Sequence, residues 1–181
     1  NAAEQAIAFE TDLVVAIGGG SPVDAAKAVA ALATNGERVQ DWEAPRTLIN
    51  PPLPLIAVPT TAGTGSEVTF YAVITDTERS FKMSLFDTRL APRVALVDPG
   101  LTRSLPPAVT AATGMDALTH AIEAYTCTLA NPVSDGLALR AMALVARQLT
   151  TAVHDGENVE ARDGMMTASL LAGMAFGNAD V

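Results

Sequence analysis

Asp116 and His120 stand four residues apart in the run Gly114-Met115-Asp116-Ala117-Leu118-Thr119-His120-Ala121-Ile122-Glu123. On a helix that spacing places a carboxylate and an imidazole on one face, within reach of a common point. Such a pair can hold a divalent metal of the iron or zinc type. Glu123, one turn further, lies on the same side and is a candidate to orient His120. The plainer reading is an Asp–His hydrogen bond on a solvated helix face. Against it, Leu105–Met115 carries no charge at all, and an acid and an imidazole isolated in apolar helix are costly unless paired or metal-bound.

Two other segments carry a different chemistry, Gly-Gly-Gly-Ser-Pro-Val-Asp at Gly18–Asp24 and Pro-Thr-Thr-Ala-Gly-Thr-Gly-Ser-Glu at Pro59–Glu67. Each follows a short apolar run, Leu13–Ile17 and Leu55–Val58, and the first opens directly into a helical pattern. A strand that ends in glycines and feeds a helix gathers free backbone N–H groups at one point. The amides and the helix dipole both favour phosphate there. Two such loops point to a ligand with more than one phosphate, such as a dinucleotide.

The elements that must position these residues are legible in outline. Ala2–Phe9 reads as a helix tail, Asp12–Ile17 as a buried strand, and Pro22–Ala33 as a helix with Pro in its first turn. Thr34–Pro54 reads as loop with a short helix around Trp42. Leu55–Val58, Tyr71–Thr75, Phe81–Leu85 and Val94–Val97 read as strands bounded by turn residues. This alternation predicts an α/β layer fold with a largely parallel sheet. Beyond Pro99, Leu105–Thr126, Pro132–Val153 and Asn158–Val181 all carry apolar residues at helical spacing. The expected organisation is an α/β nucleotide-binding domain over 1–104 followed by a helical domain from 105 to 181, with a cleft between them.

Composition narrows the function classes. The chain has 181 residues, 49% of them hydrophobic, and a net charge of −9. No basic stripe exists to neutralise nucleic acid. The single Cys127 excludes an internal disulfide and fits a reducing, cytoplasmic compartment. The uncharged stretch Gly164–Ala179 is short for a membrane span and reads as a core helix. The absence of an initial Met and the ending inside an apolar segment read as those of a fragment. His154, beside Asp155-Gly156, is expected to be a surface residue.

Taken in order, GGGSPVDAAK (Gly18–Lys27), PTTAGTGSEVT (Pro59–Thr69), VDPGL (Val97–Leu101) and AATGMDALTHAIEAY (Ala111–Tyr125) resemble the successive signatures of the iron-containing (group III) alcohol dehydrogenase family. The resemblance runs over nearly the whole chain. It implies a Rossmann-like α/β domain followed by an all-α domain, the dehydroquinate synthase-like architecture, truncated at both ends. It implies that Gly19, Gly20 and Ser21 bind the pyrophosphate of NAD or NADP, with Asp24 close by. Thr60, Thr61, Thr64 and Thr69 match cofactor-contacting positions, and Lys82 and Leu101 match positions near the nucleotide. As the plainer alternative, Lys82 is a solvated strand lysine.

Asp116 and His120 match the first two metal ligands, for Fe(II) or alternatively Zn(II). The family's two further histidine ligands have no counterpart in this chain. The implied reaction is reversible, metal-assisted hydride transfer between a small alcohol and a nicotinamide, in a homo-oligomer. The alternatives are a nucleotide-binding fragment without activity and a maleylacetate reductase or glycerol dehydrogenase-like relative.

Overall fold

The computed structural model describes residues 2–36 and 38–179. A short helix, α1 (Ala2–Ala8), leads into strand β1 (Val14–Gly18) and helix α2 (Gly20–Asn35). Strand β2 (Leu55–Pro59) follows a long loop that holds one turn of 3-10 helix at Val39–Trp42. Trp42 roots that loop: its ring is buried and its indole N–H donates to the Gly36 carbonyl. Strands β3 (Tyr71–Asp76), β4 (Phe81–Phe86) and β5 (Val94–Ala95) come next.

β1, β2 and β5 form one parallel sheet in the order β1-β2-β5. β1 and β2 pair from Val14↔Leu55 to Gly18↔Pro59, so both strands end at the same level. The glycine loop and the threonine loop therefore leave the sheet side by side, at its carboxyl end, where open α/β sheets place their ligands. Val23 of α2 packs on Ala16, Leu55 and Ala57 to cover one face.

β3 and β4 do not join this sheet. Among the described residues they pair only with each other, antiparallel, in the register Tyr71↔Phe86 to Asp76↔Phe81. Their connection is too short for the crossover that parallel pairing needs. Asp76 closes the turn by accepting from the Glu78 and Arg79 N–H groups at 2.9 and 3.1 Å.

The remainder is helical: α3 (Pro107–Thr126), α4 (Pro132–His154) and α5 (Val159–Ala179). The expected helix over Asn158–Val181 is found up to Ala179; its last two positions lie outside the described residues. Asn131 caps α4 by accepting from the Val133 and Ser134 N–H groups, the geometry an Asn-Pro start favours. The three helices meet through alanines, among them Ala121, Ala124, Ala138, Ala141, Ala172 and Ala175, all fully buried. Small side chains let the helix axes approach closely. Buried Arg162 ties α5 to the start of α3, donating to Thr110 Oγ1 at 2.8 Å and to the Gly156 carbonyl at 2.9 Å. No described helix is long and apolar enough to cross a membrane.

Candidate functional site

The two loops interlock before any ligand is considered. A Cβ on Gly20 would stand 2.6 Å from Thr64 Cγ2, and one on Gly19 would stand 3.1 Å from Thr61 Oγ1. The glycines thus admit the threonine loop. Gly65 adopts the left-handed conformation (φ 63°), and its α-carbon side faces Gly173 of α5 so closely that a Cβ would come within 2.6 Å of the Gly173 α-carbon. Only glycine satisfies both the dihedral and the space. No side chain caps α2 at Gly19, so the first-turn N–H groups of that helix remain for a ligand.

These loops, the β3–β4 hairpin and helices α3 and α5 enclose a cleft of about 540 Å³. Of the residues expected to touch a cofactor, Gly20, Ser21, Asp24, Thr64, Thr69 and Lys82 line it. Gly19, Thr60, Thr61 and Leu101 do not. Thr61 instead packs on Gly19, and Thr60 follows the strand, its N–H donating to the Gly18 carbonyl at 2.9 Å. Lys82 is exposed on β4 and is the one lysine or arginine among the described residues lining the cleft.

Asp116 and His120 face the same cleft from α3. His120 Nε2 and Asp116 Oδ1 lie 3.8 Å apart, beyond a hydrogen bond, with the imidazole a quarter exposed. The imidazole packs against the ring of Phe176 of α5, centroids 4.8 Å apart and planes tilted by 49°. Its Nδ1 is buried without a hydrogen-bond partner, so Glu123, although it lines the cleft, does not orient His120 by a hydrogen bond. The separation of Oδ1 and Nε2 suits one cation between two donors. Among the described residues no third His, Cys, Asp or Glu joins them, and His154 is exposed at the far end of α4.

Beside the cleft lies a charged cluster in which sequence reasoning gave a role to Asp24 and none to Lys27 or Glu67. Lys27, in α2, is fully buried. Its ammonium donates to the Tyr71 carbonyl at 2.6 Å, the Thr69 carbonyl at 2.8 Å and Thr69 Oγ1 at 3.3 Å, and lies 3.8 Å from Asp24 Oδ1. Burial pulls its pKa down to about 8, against the attraction of Asp24 and Glu67. Burial likewise pushes the Asp24 and Glu67 carboxyls up, while the Ser66 hydroxyl bond and the Lys27 charge hold Asp24 back. Asp24 accepts from Ser66 Oγ and from the Val73 N–H. The signal for this cluster was present, an acid and a lysine three apart on the helix that follows the glycines.

Comparison with known proteins shows what the chain resembles. The profile of the iron-containing alcohol dehydrogenases matches residues 1–99, and that of the family's C-terminal region matches 110–181. Alcohol dehydrogenase 4 of Schizosaccharomyces pombe is 50% identical over 170 residues, 94% of this chain and 40% of that protein. The NAD-dependent methanol dehydrogenase of Bacillus methanolicus is 49% identical over 167 residues, 92% of this chain and 44% of that protein. The crystal structure of sulfoacetaldehyde reductase from Bifidobacterium kashiwanohense in complex with NAD+ superimposes with a TM-score of 0.92 at 41% identity, over 97% of this chain and 47% of that one. The chain thus spans less than half the length of these relatives.

Proposed function

Since the chain belongs to the iron-containing alcohol dehydrogenase family, we propose that it carries the nicotinamide-dinucleotide site and one edge of the metal site of an alcohol dehydrogenase. The observation that carries this reading is convergence. The two phosphate-type loops and the Asp116/His120 pair, remote in sequence, open into one cleft. The relatives' names, which include alcohol and NAD-dependent methanol dehydrogenases, support the reaction class.

In this reading residues 1–104 hold the dinucleotide and residues from 105 begin the metal-binding part. The N–H groups of Gly20 and Ser21 at the start of α2 take the pyrophosphate of NAD or NADP, and Gly19 lets the backbone approach it. Thr64 and Thr69 offer hydroxyls, and Lys82 adds a point charge from the hairpin. Thr60, Thr61 and Leu101 act on the cofactor through the shape of the loops that carry them. Asp116 and His120 would hold Fe(II), or alternatively Zn(II), with a carboxylate and an imidazole. A divalent metal, when bound, supplies Lewis acidity to an alcohol oxygen. The stacking of Phe176 holds the His120 ring at a fixed tilt, so that Nε2 keeps its aim toward Asp116. A homo-oligomer in the cytoplasm is the assembly and location this reading carries.

The test is titration of the chain with NADH, read by nicotinamide fluorescence, beside equilibrium dialysis against Fe(II) under anaerobic conditions and against Zn(II). Saturable NADH binding is expected, with weak metal retention that falls at least tenfold in Asp116→Ala or His120→Ala. No NADH binding at millimolar concentration would refute the cofactor assignment. Metal retention unchanged in both variants would refute the metal assignment. A second reading, a dinucleotide-binding unit without turnover of its own, is favoured by the absence of a third metal donor among the described residues.

A further inference from the structure

We propose that Lys27 is a positioning residue for the dinucleotide, fixing the hairpin wall of the cleft through the backbone of residues 69–71. This rests on the reading that the cleft binds a nicotinamide dinucleotide. Lys27 does not line that cleft, so its effect is indirect. β3 has a strand partner, β4, on one edge only. Along its other edge two of the polar backbone groups, the Tyr71 carbonyl and the Val73 N–H, are taken by side chains of α2. Lys27 binds the carbonyls of Thr69 and Tyr71, and Asp24, one turn earlier, accepts from the N–H of Val73. Alternate residues of an extended segment point the same way, so 69, 71 and 73 form one row of contacts along a single helix. Two charged side chains thereby replace a neighbouring strand.

What the hairpin brings to the cleft shows what depends on this row. Val73 and Thr75 from β3 and Lys82 and Ser84 from β4 form one wall. Among them is the cation that would meet a phosphate. A shift of β3 away from α2 carries Lys82 with it, since Lys82 is paired with Thr75. A buried ammonium is expensive to desolvate, and a pair of apolar residues often packs as stably. Its three acceptors are what apolar side chains cannot replace: two carbonyls and a hydroxyl held at set distances from α2. Asp24 and Glu67 balance its charge from α2 and from the threonine loop. The same group therefore ties the helix, the loop and the hairpin at one point.

Lys27→Met keeps the length of the stem and removes the donors. Lys27→Met/Glu67→Gln also removes one buried negative charge and provides a folded variant if the single change is too destabilising. With the unsubstituted chain as reference, the Kd for NADH should rise at least tenfold in the folded variants. The emission of bound NADH should shift toward that of free NADH, and amide exchange along residues 71–76 should accelerate. An unchanged Kd and unchanged emission in a folded variant, with only the melting temperature lowered, would overturn the proposal and leave the cofactor site standing. Failure of the unsubstituted chain to bind NADH would instead bring down the cofactor reading and this inference with it.

Discussion

Thr64 occupies the space that a side chain at position 20 would need, and this changes what a substitution there measures. Gly20→Val drives its Cβ into the Thr64 side chain, an overpacking that costs about 1–3 kcal/mol. The variant is expected to melt at lower temperature and to lose at least tenfold in NADH affinity. In the Thr64→Ala background the added bulk has room, so much of the stability should return. Affinity should stay low, because the valine still blocks backbone approach to a phosphate. Recovery of both together would show that the glycine serves loop packing alone. The motif was legible at the level of residue types, since a Gly-Gly-Gly-Ser run after an apolar strand has few other uses. The partner of each glycine was not, because Thr61 and Thr64 reach it from forty residues away. The Asp116/His120 pairing followed from helical spacing. The failure of Glu123 to reach Nδ1 of His120 did not, since the imidazole packs against Phe176 on another helix. Lys27 was half hidden for a similar reason: its spacing from Asp24 marks a pair on α2, but its acceptors, Thr69 and Tyr71, come from a distant segment of the chain.

Among the elements, the long helices followed from their apolar period, and β1 and β2 from their short apolar runs. The pairing of β3 and β4 followed less directly, because strand-forming residues do not name their partner. It was decided by the short turn at 77–80 and by the side chains of α2 that occupy the other edge of β3. Helices α4 and α5 offer a matched comparison. Gly173 in α5 meets Gly65 across a backbone contact, where an added Cβ would stand 2.8 Å from the Gly65 α-carbon and 2.9 Å from its carbonyl oxygen. Gly136 in α4 has open space around it. Gly173→Ala should therefore lower stability by about 1–3 kcal/mol and weaken NADH binding, since the threonine loop must shift. Gly136→Ala should raise stability by about 0.5–1 kcal/mol through helix propensity and leave binding unchanged. Urea unfolding of the two variants decides the point: equal effects would mean that the Gly65–Gly173 contact does not constrain the loop.

On the scale of the whole molecule, the described residues assemble one cleft that, in the proposed reading, takes a dinucleotide and offers Asp116 and His120 as metal donors, with no third His, Cys, Asp or Glu grouped with them. Two donors hold a first-row divalent ion loosely against water and buffer. The 181-residue chain, supplied with NAD and Fe(II) or Zn(II), is therefore expected to oxidise simple primary alcohols no faster than background, followed by NADH absorbance. Robust metal-dependent turnover would mean that donors arrive from a second copy of the chain. The Gly65–Gly173 contact also has a mechanical side. Backbone meets backbone there with no side chain able to yield, so the threonine loop and α5 travel as one solid piece. Thr64 against Gly20, and Ser66 on Asp24, bolt the same loop to α2. The β3–β4 hairpin, by contrast, is held to α2 by the side chains of Asp24 and Lys27 and not by backbone contact. A molecule entering the cleft meets a threonine loop set by backbone packing and a hairpin wall whose place depends on two charged side chains.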